Sequence, residues 1–248
     1  MNLAWVRFYE ELNEFLPSEK RKQLLSYSFN GNPSVKDAVE AIGVPHVEVD
    51  LILVNGLSVD FSNKLKNGDL VSVYPVFESF DITPLIRLRE KPLRNVRFIV
   101  DVHLGRLAKY LRFCGFDTLY RTDFTDKEII SLSITEKRII LTRDVGLLKN
   151  KKVTHGYWLR SQNINEQLKE VFLRFNLKNQ IMAFSRCIEC NGMLKDIPKE
   201  DILDQLLPGT VEFYDKFRIC TQCNRIYWEG SHYERMRNYI NCLIKNVN

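Results

Sequence analysis

Residues 96–144, VRFIVDVHLGRLAKYLRFCGFDTLYRTDFTDKEIISLSITEKRIILTRD, alternate strand-like and helix-like patterns and decide the fold of the chain. Val96–Val100 is a short apolar run that predicts a strand. Apolar residues then recur at positions i, i+3, i+4 and i+7 from Leu104 to Leu111. This spacing predicts a helix, and Gly115 marks its end.

The alternation continues towards the C-terminus. The further predicted elements are a strand at Asp117–Arg121, a helix from about Asp126 to Glu136, strands at Arg138–Thr142 and Val153–Leu159, and an amphipathic helix from Ile164 to Phe175. Strands that alternate with helices indicate the α/β class, with a parallel sheet flanked by helices.

Residues 1–80 have a different, β-rich pattern. Its predicted elements are an early hairpin containing Trp5–Tyr9, a helix from the N-cap Ser34 to Gly43, a strand at Val47–Asn55 and a last strand at Leu70–Pro75. This order suits a β-grasp fold, and the VNG and NGDLVSVYP segments resemble the sulfur-carrier branch of ubiquitin-like domains. Those carriers end in Gly-Gly, whereas this chain continues, so we expect a binding or positioning module.

The chain therefore divides into four predicted parts. They are a β-grasp domain at 1–80, a linker at 81–95, an α/β domain at 96–180 and a cysteine-containing C-terminal part at 181–248. The linker contains a basic string, Arg87, Arg89, Lys91 and Arg94. No internal repeat or low-complexity tract is visible.

Charge is distributed unevenly along the 248 residues. The net charge is +5, but residues 1–80 carry seven Lys and Arg against eleven Asp and Glu, while the remainder carries 29 against 20. A basic excess in the later domains favours a polyanionic partner. The N-terminus lacks the apolar region of a secretory signal, and no run approaches the length of a membrane span. We expect a soluble cytoplasmic protein without a membrane partner.

Four cysteines predict a structural zinc site. They form two C-x-x-C pairs separated by 29 residues, Cys187 with Cys190 and Cys220 with Cys223. Each pair offers two thiolates from one tight turn, and four thiolates complete a closed tetrahedral site. Two redox dithiols are the alternative. Aromatic residues that follow, such as Tyr227 and Tyr233, either stack on nucleic-acid bases or form the core of a small zinc domain.

Aspartates follow the predicted parallel strands. Asp101 ends the first strand, Asp144 follows the third, and Asp126 begins a helix with Asp123 close by. Carboxylates gathered at one edge of a sheet would bind Mg²⁺ or Mn²⁺, which prefer oxygen ligands. The alternative is that Asp101 and Asp144 cap the helices that follow them. Glu128 matches a capping box with Thr125 and is interpreted as structural.

The first predicted helix of the α/β domain carries a basic stripe on the face opposite its apolar residues. Arg106, Lys109 and Arg112 recur at i, i+3 and i+6 beside the proposed acids. Such a stripe suits a polyanion entering a metal site. A solvated helix face is the alternative.

The segments FIVDVHLGRLAKYLRFCGFDTLYRTDFTDKEII and RIILTRD, with RCIECNG and CTQCNRIYWEGSH, resemble the PIN-like RNase family named for the C-terminal domain of the nematode protein Mut-seven. The resemblance covers nearly the whole chain, including the N-terminal domain, and identifies residues 96–180 with a PIN-like nuclease and 181–248 with a zinc ribbon. It implies a metal-dependent ribonuclease whose acids fall on Asp101, Asp126 and Asp144. Asp123 is the alternative for the middle acid, and Asp126 is preferred because it directly precedes the helix. Arg143 accompanies the last acid and is a candidate phosphate contact. With RNA as the polyanion, the other candidate RNA contacts are Arg106, Lys109 and Arg112.

The leading hypothesis is therefore an RNA phosphodiesterase that uses Mg²⁺ or Mn²⁺ at these three aspartates. Its expected partners are RNA, including tRNA or other structured RNA, and a protein bound by the β-grasp domain. A non-catalytic RNA-binding adaptor is the alternative, in which the aspartates are only caps. A third hypothesis is a receiver-like domain that accepts a phosphoryl group on an aspartate at a strand end. It is disfavoured because the sequence has no recognisable lysine at the end of a later strand.

Overall fold

The computed structural model describes residues 1–75 and 96–245, with side chains up to residue 242. The chain forms two compact units, Met1–Asn95 with Asp144–Trp158, and Val96–Arg143 with Leu159–Asn248. The predicted linker 81–95 and its basic string lie outside the described residues, as do residues 76–80. The boundaries between the four predicted parts stay a prediction.

Residues 1–75, the described portion of the first part, form five strands and one α-helix. They are β1 (Asn2–Phe8), β2 (Leu24–Phe29), α1 (Val35–Ile42), β3 (Val49–Val54), β4 (Leu57–Val59) and β5 (Leu70–Pro75). The strands form one sheet in the order β2-β1-β5-β3-β4. The central pair, β1 and β5, is parallel, and the other pairs are antiparallel. This is the predicted β-grasp topology.

Local sequence signals explain the helix of this unit. The Ser34 hydroxyl accepts a hydrogen bond from the Asp37 N–H, and the Asp37 carboxylate accepts one from the Ser34 N–H, which makes a capping box. Gly43 ends α1 with φ at +135°. The buried side of α1 packs on a core that includes Val6 and Val73 from the two central strands.

From residue 96 the predicted alternation of strands and helices is confirmed. The elements are β6 (Arg97–Val100), α2 (Gly105–Phe113), β7 (Asp117–Leu119), α3 (Asp126–Thr135), β8 (Ile139–Thr142), α4 (Val145–Leu148), β9 (Gly156–Trp158) and α5 (Ile164–Arg174). Of these, α4 and β9 belong to the first unit. The others belong to the second.

The second unit is built on a parallel sheet in which β6 lies between β7 and β8. Phe98, Ile99 and Val100 of β6 are fully buried, because helices cover the sheet. α2 packs against β6, β7 and α5, while α3 packs against β6 and β8. The backbone N–H of Leu159 donates to the Thr142 carbonyl at 2.8 Å and continues the hydrogen bonding of β8.

The C-terminal part of this unit is a small antiparallel sheet followed by a helix. Its elements are β10 (Leu194–Ile197), α6 (Pro208–Phe213), β11 (Phe217–Cys220), β12 (Ile226–Trp228) and α7 (Ser231–Lys245). β11 lies between β10 and β12. Tyr239 of α7 donates a hydrogen bond to Asn165 at the start of α5. Within residues 1–75 and 96–245, no helix has the length and apolar character that a membrane crossing requires.

Two glycines shape α2. Gly105 stands at its first turn, where an added Cβ would lie 2.6 Å from the Tyr120 hydroxyl oxygen. That hydroxyl donates to the Val102 carbonyl at 3.0 Å. Gly115 ends the helix with φ at +94°, and an added Cβ would lie 2.4 Å from the Met182 carbonyl oxygen. A Cβ at position 105 would therefore displace the end of the Tyr120 side chain, and a Cβ at position 115 would collide with backbone.

Replacing Gly115 by alanine should destabilise the second unit strongly. The left-handed backbone costs an alanine about 1–2 kcal/mol, and the contact with the Met182 carbonyl adds to that cost. The matched control is Gly31→Ala, which has φ at +70° but no atom within 4 Å of the new Cβ. Urea unfolding should show a clearly larger loss for Gly115→Ala, and equal losses would contradict the steric argument.

Candidate functional site

The four cysteines of the C-terminal part come together as predicted. Their sulfur atoms all lie within 4.8 Å of one another. Cys187 Sγ is 3.6 Å from Cys223 Sγ, and Cys190 Sγ is 3.3 Å from Cys220 Sγ. A disulfide requires about 2.05 Å, whereas thiolates about 2.3 Å from one tetrahedral ion are separated by about 3.8 Å. The arrangement fits a structural zinc ion.

Both cysteine pairs use the same turn. The residue after each pair is an asparagine in the left-handed region, with φ at +71° for Asn191 and +57° for Asn224. The Asn191 N–H donates to the Cys187 carbonyl at 3.0 Å, and the Asn224 N–H donates to the Cys220 carbonyl at 3.1 Å. Asparagine tolerates this conformation better than most residues. The two turns therefore present their thiols in the same way.

The surroundings of the sulfurs lower the pKa of the Cys187 thiol and raise the pKa of the Cys190 thiol. Burial raises the pKa of the Cys187 thiol, but hydrogen bonds from the Tyr227 hydroxyl and from backbone N–H groups outweigh it, giving about 7. The Tyr227 oxygen is 3.0 Å from Cys187 Sγ. Burial raises the pKa of Cys190 to about 12. Four sulfurs with this balance suit a cation that replaces the remaining protons.

Arg112 joins the first cysteine turn to the parallel-sheet part of the unit. Its side chain was predicted to contact RNA, but it is only 2% exposed. The guanidinium donates to the carbonyls of Thr118 at 2.8 Å, Glu189 at 2.6 Å and Ile188 at 3.1 Å. These contacts give Arg112 a structural use, so we do not include it among the proposed RNA contacts.

A signal for this use was present in the sequence. The apolar face of α2 runs through Leu104, Leu107, Ala108 and Leu111, and position i+8 of that face is residue 112. The spacing that predicted the helix therefore also places Arg112 at the border of the apolar face, which packs on the core. Its neighbour on the stripe, Lys109, is exposed and donates to Glu189 of the cysteine turn at 2.7 Å.

A second set of contacts fastens the same turn to the edge of the sheet. The Asn191 amide accepts from the Thr118 N–H at 2.9 Å and donates to the Asp117 carboxylate at 2.8 Å. The buried Arg138 donates to the same carboxylate at 2.7 Å. Burial raises the pKa of Asp117, but hydrogen bonds from Arg138 and Asn191 and nearby positive charge lower it below its ordinary value.

Asp101 lies at the end of β6, at the edge where α/β folds place their sites. Its backbone N–H donates to the Leu141 carbonyl of β8 at 3.0 Å. The carboxylate makes no cap to the following turn and instead accepts from the Thr142 hydroxyl at 2.7 Å. The capping alternative is therefore wrong for Asp101. The hydroxyl orients this half-buried carboxylate along the strand ends.

The other predicted acids differ in what they contact. Asp126 is exposed in the first turn of α3, whereas the neighbouring Asp123 accepts two hydrogen bonds from Arg121, at 2.9 and 2.8 Å. Glu128 and Thr125 form the expected capping box. In the first unit, the Asp144 carboxylate caps α4 by accepting from the Gly146 N–H at 2.7 Å.

The grouping of the three aspartates around one cation stays a prediction. Asp101 and Asp126 belong to the second unit, and Asp144 belongs to the first. Among the described residues, the four cysteines are the one set of three or more His, Cys, Asp or Glu side chains with ligand atoms within 4.8 Å of one another. Arg106 and Arg143 are exposed, as RNA contacts must be.

The aromatic residues near the cysteines form a small core. The Phe184 ring lies 4.6 Å from Tyr233 and 6.1 Å from Tyr227, measured between centroids. Phe113 of α2 packs on Tyr233 at 5.5 Å. Of the two interpretations of these residues, core packing is the one that their contacts support.

The family model for the Mut7-C RNAse domain matches residues 96–240, which is more than half of the chain. The chain belongs to the Mut7-C RNase domain family. The Mut7-C ubiquitin model matches residues 1–81, so the β-grasp unit is the ubiquitin-like domain of this family. Both matches confirm the resemblance inferred from the motifs around Asp101 and Asp144.

The other comparisons add little to the Mut7-C assignment. The crystal structure of SAMP1 from Haloferax volcanii is similar to 32% of this chain over its whole length, at 16% identity and a TM-score of 0.26. The comparison with curated proteins gave no match.

Zinc should be needed for the stability of the C-terminal part. Cys220→Ala removes one ligand, so we expect loss of zinc from the purified protein, measured by elemental analysis, and a lower melting temperature. Cys242→Ala is the control, because Cys242 is an exposed cysteine outside the cluster. A full equivalent of zinc in Cys220→Ala would contradict the assignment.

Asp117 should make the protein less stable in acid. A carboxylate whose pKa is lowered by folding stabilises the folded state above its unfolded pKa of about 3.9, and this contribution disappears as the pH falls through the folded value. At pH 7, Asp117→Asn should have a lower free energy of unfolding than the wild type. Below pH 4 the free energies of unfolding of the two proteins should become more similar. The control is Asp196→Asn, whose carboxylate is 86% exposed. A difference that stays constant with pH would count against this role.

Proposed function

We propose that this chain is a metal-dependent RNA phosphodiesterase with a catalytic site formed by Asp101, Asp126 and Asp144. One observation carries the proposal. The Asp101 carboxylate is held by the Thr142 hydroxyl at the ends of two neighbouring parallel strands, and it does not cap the turn that follows it. Membership of an RNase domain family supports RNA as the substrate.

The donor atoms suit Mg²⁺ or Mn²⁺. All three residues offer carboxylate oxygens, which hard divalent cations prefer to nitrogen or sulfur. When bound, such a cation supplies activation of water and charge stabilisation during phosphodiester hydrolysis. The sulfur site binds the softer zinc ion and has no role in the reaction, because four cysteines leave no open position.

The protein side chains have separate tasks in this mechanism. Thr142 donates to one oxygen of Asp101 and so fixes the direction of its remaining lone pairs. Asp126 stands in the first turn of α3, and its side chain is exposed. Asp144 follows the end of β8 by two residues, next to Arg143. Together the carboxylates would hold the cation, and Arg143 would contact the phosphate.

The exposed basic residues would bind the RNA backbone. Arg106 and Lys109 lie on the outer face of α2, and Lys109 also pairs with Glu189 of the cysteine turn. Structured RNA such as tRNA would suit a surface shared by α2 and the cysteine turn. The affinity for RNA should weaken as the salt concentration rises. In a plot of the logarithm of the binding constant against the logarithm of the salt concentration, each phosphate neutralised on single-stranded RNA should make the slope more negative by about 0.7. The thiolate site suits the reducing cytoplasm.

An RNA-binding adaptor without catalysis is the second candidate. The cap that Asp144 provides to Gly146 favours it, because a carboxylate used as a cap needs no cation. In this case the basic residues and the cysteine turn would carry the function, and the aspartates would affect only stability.

Cleavage of labelled RNA in Mn²⁺ should separate the two candidates. We expect Asp101→Asn, Asp126→Asn and Asp144→Asn to lower kcat by at least about 100-fold, since each removes a ligand charge. Thr142→Val should lower kcat by about tenfold, because an outer partner only orients a ligand. The matched control is Asp123→Asn, whose carboxylate is 70% exposed and paired with Arg121.

The outcomes are distinct. Cleavage that is equal in wild type and Asp101→Asn indicates a contaminating nuclease and removes the proposal. RNA binding without cleavage by wild type supports the adaptor. If Asp123→Asn is inactive and Asp126→Asn is active, the middle acid is Asp123.

A further inference from the structure

The segment Asp144–Trp158 is packed with the ubiquitin-like domain. It groups with Met1–Asn95, although it follows β8 directly in the chain. Leu147, Leu148 and Val153 of this segment are buried. The segment also begins with the aspartate that we propose as a catalytic acid. Its contacts to the domain therefore bear on that acid.

His46 makes the central contact. It lies in a single 3₁₀ turn, His46–Glu48, between α1 and β3, and it is 7% exposed. Its Nε2 is 2.8 Å from the Val153 carbonyl oxygen, and its Nδ1 is 2.6 Å from Glu40 Oε1. A carbonyl only accepts hydrogen bonds, so Nε2 carries a proton and donates it to Val153. Because Nδ1 faces a carboxylate oxygen, the contact with Glu40 also needs a proton between the two atoms, and this hydrogen bond fixes the orientation of the ring.

Glu48 makes a second contact at the end of the segment. It is 1% exposed, and its Oε1 accepts a hydrogen bond from the Trp158 N–H at 2.7 Å. The Trp158 ring lies 4.7 Å from the Phe15 ring, between centroids. A hydrogen bond from a backbone N–H to a carboxylate is stronger than one between two neutral groups. The domain thus holds the segment at two backbone groups.

Local hydrogen bonds connect these contacts with Asp144. The Asp144 carboxylate accepts from Gly146 at the start of α4. The Lys149 N–H donates to the Val145 carbonyl at 3.2 Å, and the Val153 N–H donates to the Asn150 carbonyl at 2.9 Å. Consecutive turns therefore link the backbone from the cap to Val153, and through them we expect a displacement at Val153 to move Asp144.

We propose that the ubiquitin-like domain positions Asp144 through His46 and Glu48, which bind Val153 and Trp158. The proposal rests on the proposed function, since it treats Asp144 as part of the catalytic site. His46 and Glu48 are positioning residues that touch no substrate. The domain is then an internal support of the nuclease and not only a module for other partners.

Amide hydrogen exchange of the full chain tests whether His46 and Glu48 hold residues 144–158, and this measurement does not depend on catalytic activity. In His46→Leu and Glu48→Ala, amides of residues 144–158 should exchange about tenfold faster or more, because a buried charged or polar hydrogen bond is removed. Exchange in β1 and β5 should stay unchanged, which shows that the domain is folded. His46→Gln should restore slow exchange in part, since its amide N–H can replace Nε2. The control is Glu19→Ala, which lies on an exposed turn.

Steady-state cleavage of labelled RNA in Mn²⁺ tests the consequence for catalysis. Displacing a reacting group by about 1 Å costs on the order of 100-fold in rate. We expect His46→Leu and Glu48→Ala to lower kcat by about 10- to 100-fold with little change in KM, and His46→Gln to recover part of the rate. Glu19→Ala should have the wild-type kcat.

Each result decides between positioning and a merely structural role. Faster exchange at 144–158 together with lower kcat supports the proposal. Unchanged exchange, or faster exchange with a wild-type kcat, overturns it. Wild type that cleaves no RNA removes the proposed function instead, and the exchange data then decide alone whether the domain fastens the segment.

Discussion

The second unit depends on one buried cation, the guanidinium of Arg112. An arginine that is 2% exposed is unfavourable unless its N–H groups are satisfied, because burial removes the hydration of the charge. Here they bind the carbonyls of Thr118, Ile188 and Glu189, which belong to the strand β7 and to the first cysteine turn. The charge therefore holds α2, the sheet and the cysteine turn in one arrangement. Loss of either the strand β7 or the cysteine turn would leave part of the guanidinium without hydrogen-bond partners.

The same coupling extends to the metal site. Asn191 follows the first cysteine pair and binds both Thr118 and Asp117 at the sheet edge. Gly192 is needed beside it, because a Cβ there would lie 2.8 Å from Cys220 Sγ. The contacts that pack the first cysteine turn on the sheet therefore also position two of the four thiols. In this chain the four-cysteine part is a component of the second unit, with Arg112 and Asn191 as shared residues.

Most of the regular structure could be predicted from the sequence because its signals are local. The Ser34 and Thr125 capping boxes, the apolar spacing of α2 and the two cysteine pairs each depend on residues a few positions apart. The predictions that failed or were missed depend on distant contacts. Arg112 was assigned to the surface because a basic residue on a helix usually lies in solvent. The grouping of Asp144–Trp158 with the ubiquitin-like domain was missed, since His46 and Val153 are 107 positions apart.

Gly105 and Tyr120 form a single steric unit. The tyrosine hydroxyl occupies the volume that a Cβ at position 105 would need and binds the Val102 carbonyl, immediately after Asp101. We therefore expect the two positions to vary together. Alanine at the first position would favour a shorter side chain at the second, and the turn after Asp101 would then lose its hydroxyl partner. Paired exchange at these two sites is the genetic signature that this contact should leave among homologues.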